Sequence, residues 1–153
     1  MIRPRVWSAA RPLADRLGVR SGMSVAMVGV TEAGLVTSVR QCAGTVAMVE
    51  MPRRVPPGRG LPPLPGLGAH RDLVFFEAGS AEMLALFPRL VSSLEPDGVL
   101  WVLWPKGRRE IGQSAVIAAG LAAGLVDLTL VNVSDRQSAL KFARRRPNRP
   151  GRR

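Results

Sequence analysis

The chain has 153 residues, of which 46% are hydrophobic, and this is enough for one domain with a single core. Its net charge is +11, which predicts attraction to polyanions at low salt, and its single cysteine, Cys42, excludes an internal disulfide. No apolar run reaches the roughly 20 residues that cross a bilayer, and no apolar stretch follows the basic start as a signal peptide requires. We therefore expect a cytoplasmic protein.

The first third of the chain predicts short elements of alternating type. Residues 1–9 are expected to form a loose arm before a single domain over residues 10–146. Two amphipathic helices and two apolar strands are predicted at 12–17, 24–30, 32–40 and 45–51. Thr31 is placed as the N-cap of the second helix.

Residues 53–71 change the composition of the chain. They are rich in proline and glycine and have no helical or strand period. We interpret the segment as an irregular loop that replaces a helix and a strand of a larger α/β protein.

The second half returns to the alternating pattern. A strand at 73–76 precedes a helix that Ser80 caps and Pro88 kinks. Pro96, Asp97 and Gly98 predict a turn, and a central strand follows at 99–104. A helix of small residues is expected at 113–123, where alanines permit close packing on the sheet. A final hairpin is expected from strands at 126–133 and 138–144.

The central strand is apolar on both faces. Val99, Trp101 and Leu103 line one face, while Leu100, Val102 and Trp104 line the other. Such a strand is typical of a parallel sheet between two helical layers. The predicted fold class is therefore α/β, with three layers, a mostly parallel sheet and an antiparallel hairpin at its C-terminal end.

Four segments carry a family resemblance: LADRLGVRSGMSV, DLVFFEAGSAEML, LEPDGVLWVLWPK and LAAGLVDLTLVNVSDRQSALKFARR. Together they resemble the bacterial family catalogued as domain of unknown function 3052, small proteins of methyltransferase-like, Rossmann-type fold without an established activity. The likeness covers about residues 10–146, and its most specific part is Trp101 to Lys106. Two departures, at residues 109–114 and at Gln137 in place of a common tryptophan, put the family's ligand surface in doubt.

The resemblance and the fold class together select a candidate cofactor site. Ligands of open α/β sheets bind at the carboxyl ends of the strands. The residues expected there are Gly29, Thr31, Glu50, Glu77 and Gly79. Glu50 stands about twenty residues after Gly29, as the acid that binds the cofactor ribose does in such folds.

The turn after the first strand argues against a cofactor. Val30, Thr31 and Glu32 separate Gly29 from the next glycine, so the G-x-G-x-x-G pattern is missing and the turn is bulky and negative. The sequence therefore favours a non-catalytic domain without a cofactor or catalytic residue, which binds a small ligand or a partner protein. The alternative is an S-adenosylmethionine-dependent methyltransferase.

Basic residues suggest a second alternative, a polyanion-binding accessory protein that contacts RNA or DNA. Lys106, Arg108 and Arg109 form a candidate anion site after the central strand. The Arg-rich tail, which we expect to be disordered over 147–153, begins beyond the last strand. Its candidate contacts are Arg144, Arg145, Arg146, Arg149, Arg152 and Arg153. Arginine-rich composition equally fits the base composition of the coding genome. His70 has no partner in sequence for a metal site, and Cys42 is interpreted as a small apolar residue.

Overall fold

The computed structural model describes residues 13–43, 45–52, 61–108 and 110–145. Its helices are α1 (Leu13–Arg16), α2 (Ala33–Ala43), α3 (Phe87–Ser92) and α4 (Gln113–Ala122), with a 3₁₀ helix at Ala81–Leu86. Its strands are β1 (Val25–Val28), β2 (Val46–Val49), β3 (Arg71–Glu77), β4 (Leu94–Pro105), β5 (Leu125–Asn132) and β6 (Gln137–Arg144).

The six strands form one sheet in the order β2-β1-β3-β4-β6-β5. The pairs β1–β2, β1–β3 and β3–β4 are parallel, whereas β6 is antiparallel to both β4 and β5. The predicted α/β fold with a mostly parallel sheet and a C-terminal antiparallel pair is confirmed. The hairpin does not simply extend the edge, because β6 inserts between β4 and β5.

Alternate residues of β4 separate two apolar layers, as the sequence predicted. Trp101 and Leu103 pack with α1 and α2, and the indole Nε1 of Trp101 donates a hydrogen bond of 3.0 Å to the carbonyl of Leu17. Leu100 and Val102 pack on the opposite face against α3, α4 and the 3₁₀ helix. Burial on both faces explains why β4 has so little polar character.

The segment 61–70 covers the second face over β1 and β2 without forming a helix or strand. Leu64 and Leu67 are buried there. Two arginines fix its backbone. Arg71 donates from Nε to the carbonyl of Leu67 at 2.7 Å, and Arg89 donates from Nη2 to the carbonyl of Leu61 at 2.8 Å. The remainder of the predicted loop, residues 53–60, lies outside the described residues.

Pro96, Asp97 and Gly98 do not form a turn ahead of the central strand. Leu94 already pairs with Arg71, and Val99 pairs with Leu73, so the three residues bulge out of a strand that has begun. A Cβ at Gly98 would lie 2.9 Å from the carbonyl oxygen of Arg71, which explains the glycine. The prediction was wrong because the pairing of Leu94 is non-local.

Three helical details differ from the expectation. The carbonyl of Glu32 accepts the helical bond from Val36, so Glu32 and not Thr31 is the N-cap of α2. Pro88 lies in the first turn of α3, where its missing N–H costs nothing, and the element breaks into a 3₁₀ helix before it.

The small-residue helix contacts the sheet through Gly120, not through all its alanines. A Cβ at Gly120 would overlap the ring of Phe142, so glycine alone permits this approach. Ala118 and Ala122, which we expected to face the sheet, are exposed.

Candidate ligand site at the carboxyl edge of the sheet

Glu77 joins the end of β3 to the turn after β1. Its Oε1 accepts a hydrogen bond of 2.8 Å from the backbone N–H of Thr31, and its two carboxylate oxygens lie 3.1 and 3.0 Å from the Thr31 hydroxyl. A carboxylate that accepts two donors from one residue fixes that residue firmly. Two of the residues selected from the sequence are thus bonded directly.

Gly29 provides the turn that leaves β1. Its φ of +67° lies in the left-handed region, which a glycine adopts without strain. Its N–H donates to the carbonyl of Val49 at 2.9 Å, which ties the turn to the end of β2. Glu50 follows Val49 and is exposed at the same edge. The glycine and the acid therefore stand on neighbouring parallel strands, as a ribose-binding arrangement requires.

Met51 contacts the space above Gly29, and the sequence pattern gave no warning of it. A Cβ placed on Gly29 would lie 3.1 Å from the Met51 Cβ and 3.3 Å from its Cε. The methionine side chain is flexible, so it can leave this position more easily than a branched residue could.

Gly79 is exposed just after β3 and completes the predicted set. The preceding residue, Ala78, donates its N–H to the carbonyl of Leu103 at 2.8 Å, so the chain leaves the sheet in a fixed direction. All five predicted positions lie at the carboxyl ends of β1, β2 and β3.

The basic candidates after β4 are exposed. The backbone N–H of Lys106 donates to the carbonyl of Arg136 at 2.8 Å, so the turns after β4 and before β6 lie side by side. Arg108 lies 3.6 Å from the Glu110 carboxylate, and both side chains are more than half exposed. An exposed pair of this kind contributes at most about 1 kcal/mol. Arg109 is outside the described residues.

Arg144 belongs to β6 and not to a tail. Its Nη2 donates to the carbonyls of Val91 and Leu94 at 2.6 and 2.7 Å, so the guanidinium joins the end of α3 to the start of β4. Arg145 is held through its backbone N–H, which donates to Gly124 at 3.0 Å. The other predicted tail contacts, Arg146, Arg149, Arg152 and Arg153, lie outside the described residues.

One residue at this edge is buried without a complete set of hydrogen bonds. Gln137 is 6% exposed and its Oε1 has no hydrogen-bond partner. The sequence marked Gln137 only as a departure from a family pattern and did not place it in a site.

A cavity of about 160 Å³ lies at the opposite, amino edge of β3 and β4. Its floor is apolar, with Leu17, Leu73 and Val99, and its rim includes Asp72 and Lys141. Asp72 is already used, because its Oδ2 accepts a hydrogen bond of 2.8 Å from the N–H of Ser24.

His70 is exposed, and its Nδ1 lies 3.3 Å from the Glu95 carboxylate. Within the described residues, no group of three or more histidine, cysteine, aspartate or glutamate side chains is arranged to hold a metal ion. The described helices include none that is long and apolar enough to span a membrane.

No family profile and no curated protein matches this sequence. Solved structures with the same fold include methyltransferases. The 1,6-didemethyltoxoflavin-N1-methyltransferase of Burkholderia thailandensis, solved with S-adenosylhomocysteine, aligns with a TM-score of 0.62 and 13% identity, covering 94% of this chain and 82% of that one. A SAM-dependent methyltransferase of Aquifex aeolicus aligns at 0.58 and 14% identity, covering 93% and 98%. The ribosomal protein L11 methylase of Lactobacillus delbrueckii subsp. bulgaricus aligns at 0.60 and 14%, covering 95% and 81%.

These similarities establish a Rossmann-like methyltransferase fold. They favour the methyltransferase alternative over the non-catalytic domain that we expected, and they give no support to the expectation that no cofactor binds.

Proposed function

We propose that this protein binds S-adenosylmethionine at the carboxyl edge of β1, β2 and β3 and is a methyltransferase. The observation that carries the proposal is the placement of Gly29, in the left-handed region, beside exposed Glu50 on the neighbouring strand. The same fold in solved S-adenosylmethionine-dependent enzymes supports it.

The residues present fit the cofactor at its ribose end. The Glu50 carboxylate can accept hydrogen bonds from the two ribose hydroxyls, and Gly29 lets the backbone approach the ligand closely. Met51 has to turn away from Gly29 for this approach, and its unbranched side chain allows that.

The other end of the cofactor carries positive charge. Glu77 brings a carboxylate to this edge and is held there by Thr31, so it favours a cationic sulfonium or ammonium group nearby. The bound cofactor supplies an electrophilic methyl group, while the chain orients it and presents the acceptor. The membership in the unknown-function family stays a prediction.

Isothermal titration with S-adenosylhomocysteine tests the proposal. We expect saturable binding that Glu50→Gln weakens, because the neutral amide is a poorer acceptor for two hydroxyls. Asp127→Asn is the matched control, since Asp127 is an exposed acid on β5 at the far side of the sheet. A flat titration of the native protein would overturn the proposal, and equal affinities of the native protein and Glu50→Gln would remove Glu50 from the site.

A further inference from the structure

The buried side chain of Gln137 calls for an explanation. It is 6% exposed, and its Oε1 has neither solvent contact nor a hydrogen-bond partner. Buried polar atoms in folded proteins are nearly always paired, because an unpaired one has lost its water without compensation. An acceptor left open in this way is suited to a donor that arrives from outside the chain.

The backbone of Gln137 is fully used, so the residue is held in place before any ligand arrives. Its N–H donates to the Ser134 hydroxyl at 3.2 Å, and its carbonyl accepts from the N–H of Val133 at 3.0 Å. The Ser134 hydroxyl also accepts from the N–H of Arg136 at 3.1 Å, which makes the turn rigid. A fixed acceptor loses little conformational entropy on binding.

Gln137 stands on the same face and at the same edge of the sheet as the proposed cofactor site. Glu77 pairs with Leu103, and Leu103 pairs with Ala139. Because side chains alternate along a strand, Gln137 projects to the face of Ala139 and Glu77. It lies two strands away from Glu77, roughly 10 Å across the sheet. A methyl acceptor beside the cofactor would reach it.

Two exposed cations flank this position. Lys106 and Arg136 lie on the two turns that the 2.8 Å backbone hydrogen bond holds together. Asp135 and Glu110 are nearby in sequence, and Glu110 is already engaged by Arg108. The corner therefore combines positive charge at the surface with a buried hydrogen-bond acceptor.

The distribution of charge along the chain identifies the kind of anion. All eleven acidic residues lie in the described part, together with eleven of the 22 basic ones, so this part has no net charge. The whole excess of +11 belongs to residues 1–12, 53–60, 109 and 146–153. Positive charge spread over several segments around a neutral body suits an extended polyanion better than a single small anion.

We infer that the acceptor of the proposed methyltransferase is a single-stranded nucleic acid and that the Lys106–Arg136–Gln137 corner binds one of its nucleotide units. Lys106 and Arg136 contact the phosphates, and Gln137 Oε1 accepts a hydrogen bond from a base N–H group. The inference rests on the proposed function for the role of this molecule as acceptor, whereas its binding can be measured without the cofactor.

Filter retention of labelled RNA twelve-mers, normal or fully abasic, separates the two kinds of contact when it is repeated over a series of salt concentrations. We expect the native protein to prefer the normal strand. Gln137→Leu and the near-isosteric Gln137→Met should lose about tenfold of that preference with an unchanged salt slope. Lys106→Ala and Arg136→Ala should weaken both strands equally and lower the slope by about 0.7 each.

Matched controls are Gln113→Leu, an exposed glutamine at the start of α4, and Lys141→Ala, a cation at the opposite edge of the sheet. A matching DNA twelve-mer identifies which sugar is preferred. Absence of binding by the native protein overturns the inference, as does a preference that survives in both folded Gln137 variants or a salt slope unchanged in the Lys106 and Arg136 variants. Circular dichroism establishes which variants are folded. Titration with S-adenosylhomocysteine, run separately, tests the proposed function alone.

Discussion

Glu77 and Thr31, 46 residues apart in sequence, are bonded through both the backbone N–H and the hydroxyl of the threonine. The contact joins β3 to the turn after β1, and it sets the shape of the edge where ligands of such sheets bind. Its contribution can be measured without knowledge of any ligand.

Thr31→Val keeps the backbone hydrogen bond and removes the hydroxyl. We expect the free energy of unfolding to fall by about 1–2 kcal/mol, because the bond to a carboxylate is stronger than one between neutral groups. Urea denaturation measures the change. Thr37→Val, at an exposed position of α2, is the control and should change stability by less than about 0.5 kcal/mol. Equal effects of the two substitutions would contradict the assigned contact.

Gly29→Ala should be destabilising for two separate reasons. Alanine at a φ of +67° is strained by about 1–2 kcal/mol, and its Cβ would lie 3.1 Å from that of Met51. In the Met51→Ala background only the Cε contact disappears, so part of the penalty should be relieved. A double-mutant cycle by thermal unfolding measures this coupling, and strictly additive effects would show that the two side chains do not compete.

Met51→Ala alone distinguishes two states of the cofactor site. If Met51 has to rotate before the cofactor binds, its removal should tighten binding of S-adenosylhomocysteine, and calorimetry measures the affinity. Weaker binding would instead mean that the methionine packs against the ligand.

Gly120→Ala should destabilise the protein by about 1–3 kcal/mol, because the new methyl group overlaps the Phe142 ring and forces α4 away from the sheet. Gly34→Ala is the matched helical control. Gly34 is exposed in α2 with open space around it, so alanine there should stabilise the fold by about 0.5–1 kcal/mol. Thermal unfolding of both variants gives the comparison, and equal signs would argue against the close approach.

Arg144→Met should lower the free energy of unfolding by about 1.5–3 kcal/mol, since it leaves the carbonyls of Val91 and Leu94 without the guanidinium donor. Arg145→Met, at an exposed side chain, should change stability by less than about 0.5 kcal/mol. Chemical denaturation of the two variants measures the difference. Interchangeable behaviour would return Arg144 to the group of exposed tail cations.

The sequence predicted the features that depend on local pattern. Leu100 and Trp101 could be assigned to opposite layers, because a strand covered on both faces leaves a continuous apolar run with a period of two. Gly29, Glu50 and Glu77 could be placed at one edge, because strand order alone decides where the carboxyl ends meet.

Features that depend on distant contacts were not predictable in this way. Gly98 looked like part of a turn because its partner, the carbonyl of Arg71, lies 27 residues earlier. Arg144 looked like the first tail cation because its two carbonyl acceptors become neighbours only after the sheet forms. Met51 gave no signal, since nothing in a local pattern indicates which strand-end side chain turns back over a glycine.

The insertion of β6 between β4 and β5 has a consequence for synthesis of the chain on the ribosome. In the described part of the sheet, β5 pairs only with β6, so it cannot join the other strands until residues 137–144 have emerged. A chain that stops before Gln137 would lose two strands together and leave the apolar edge of β4 open to other nascent chains.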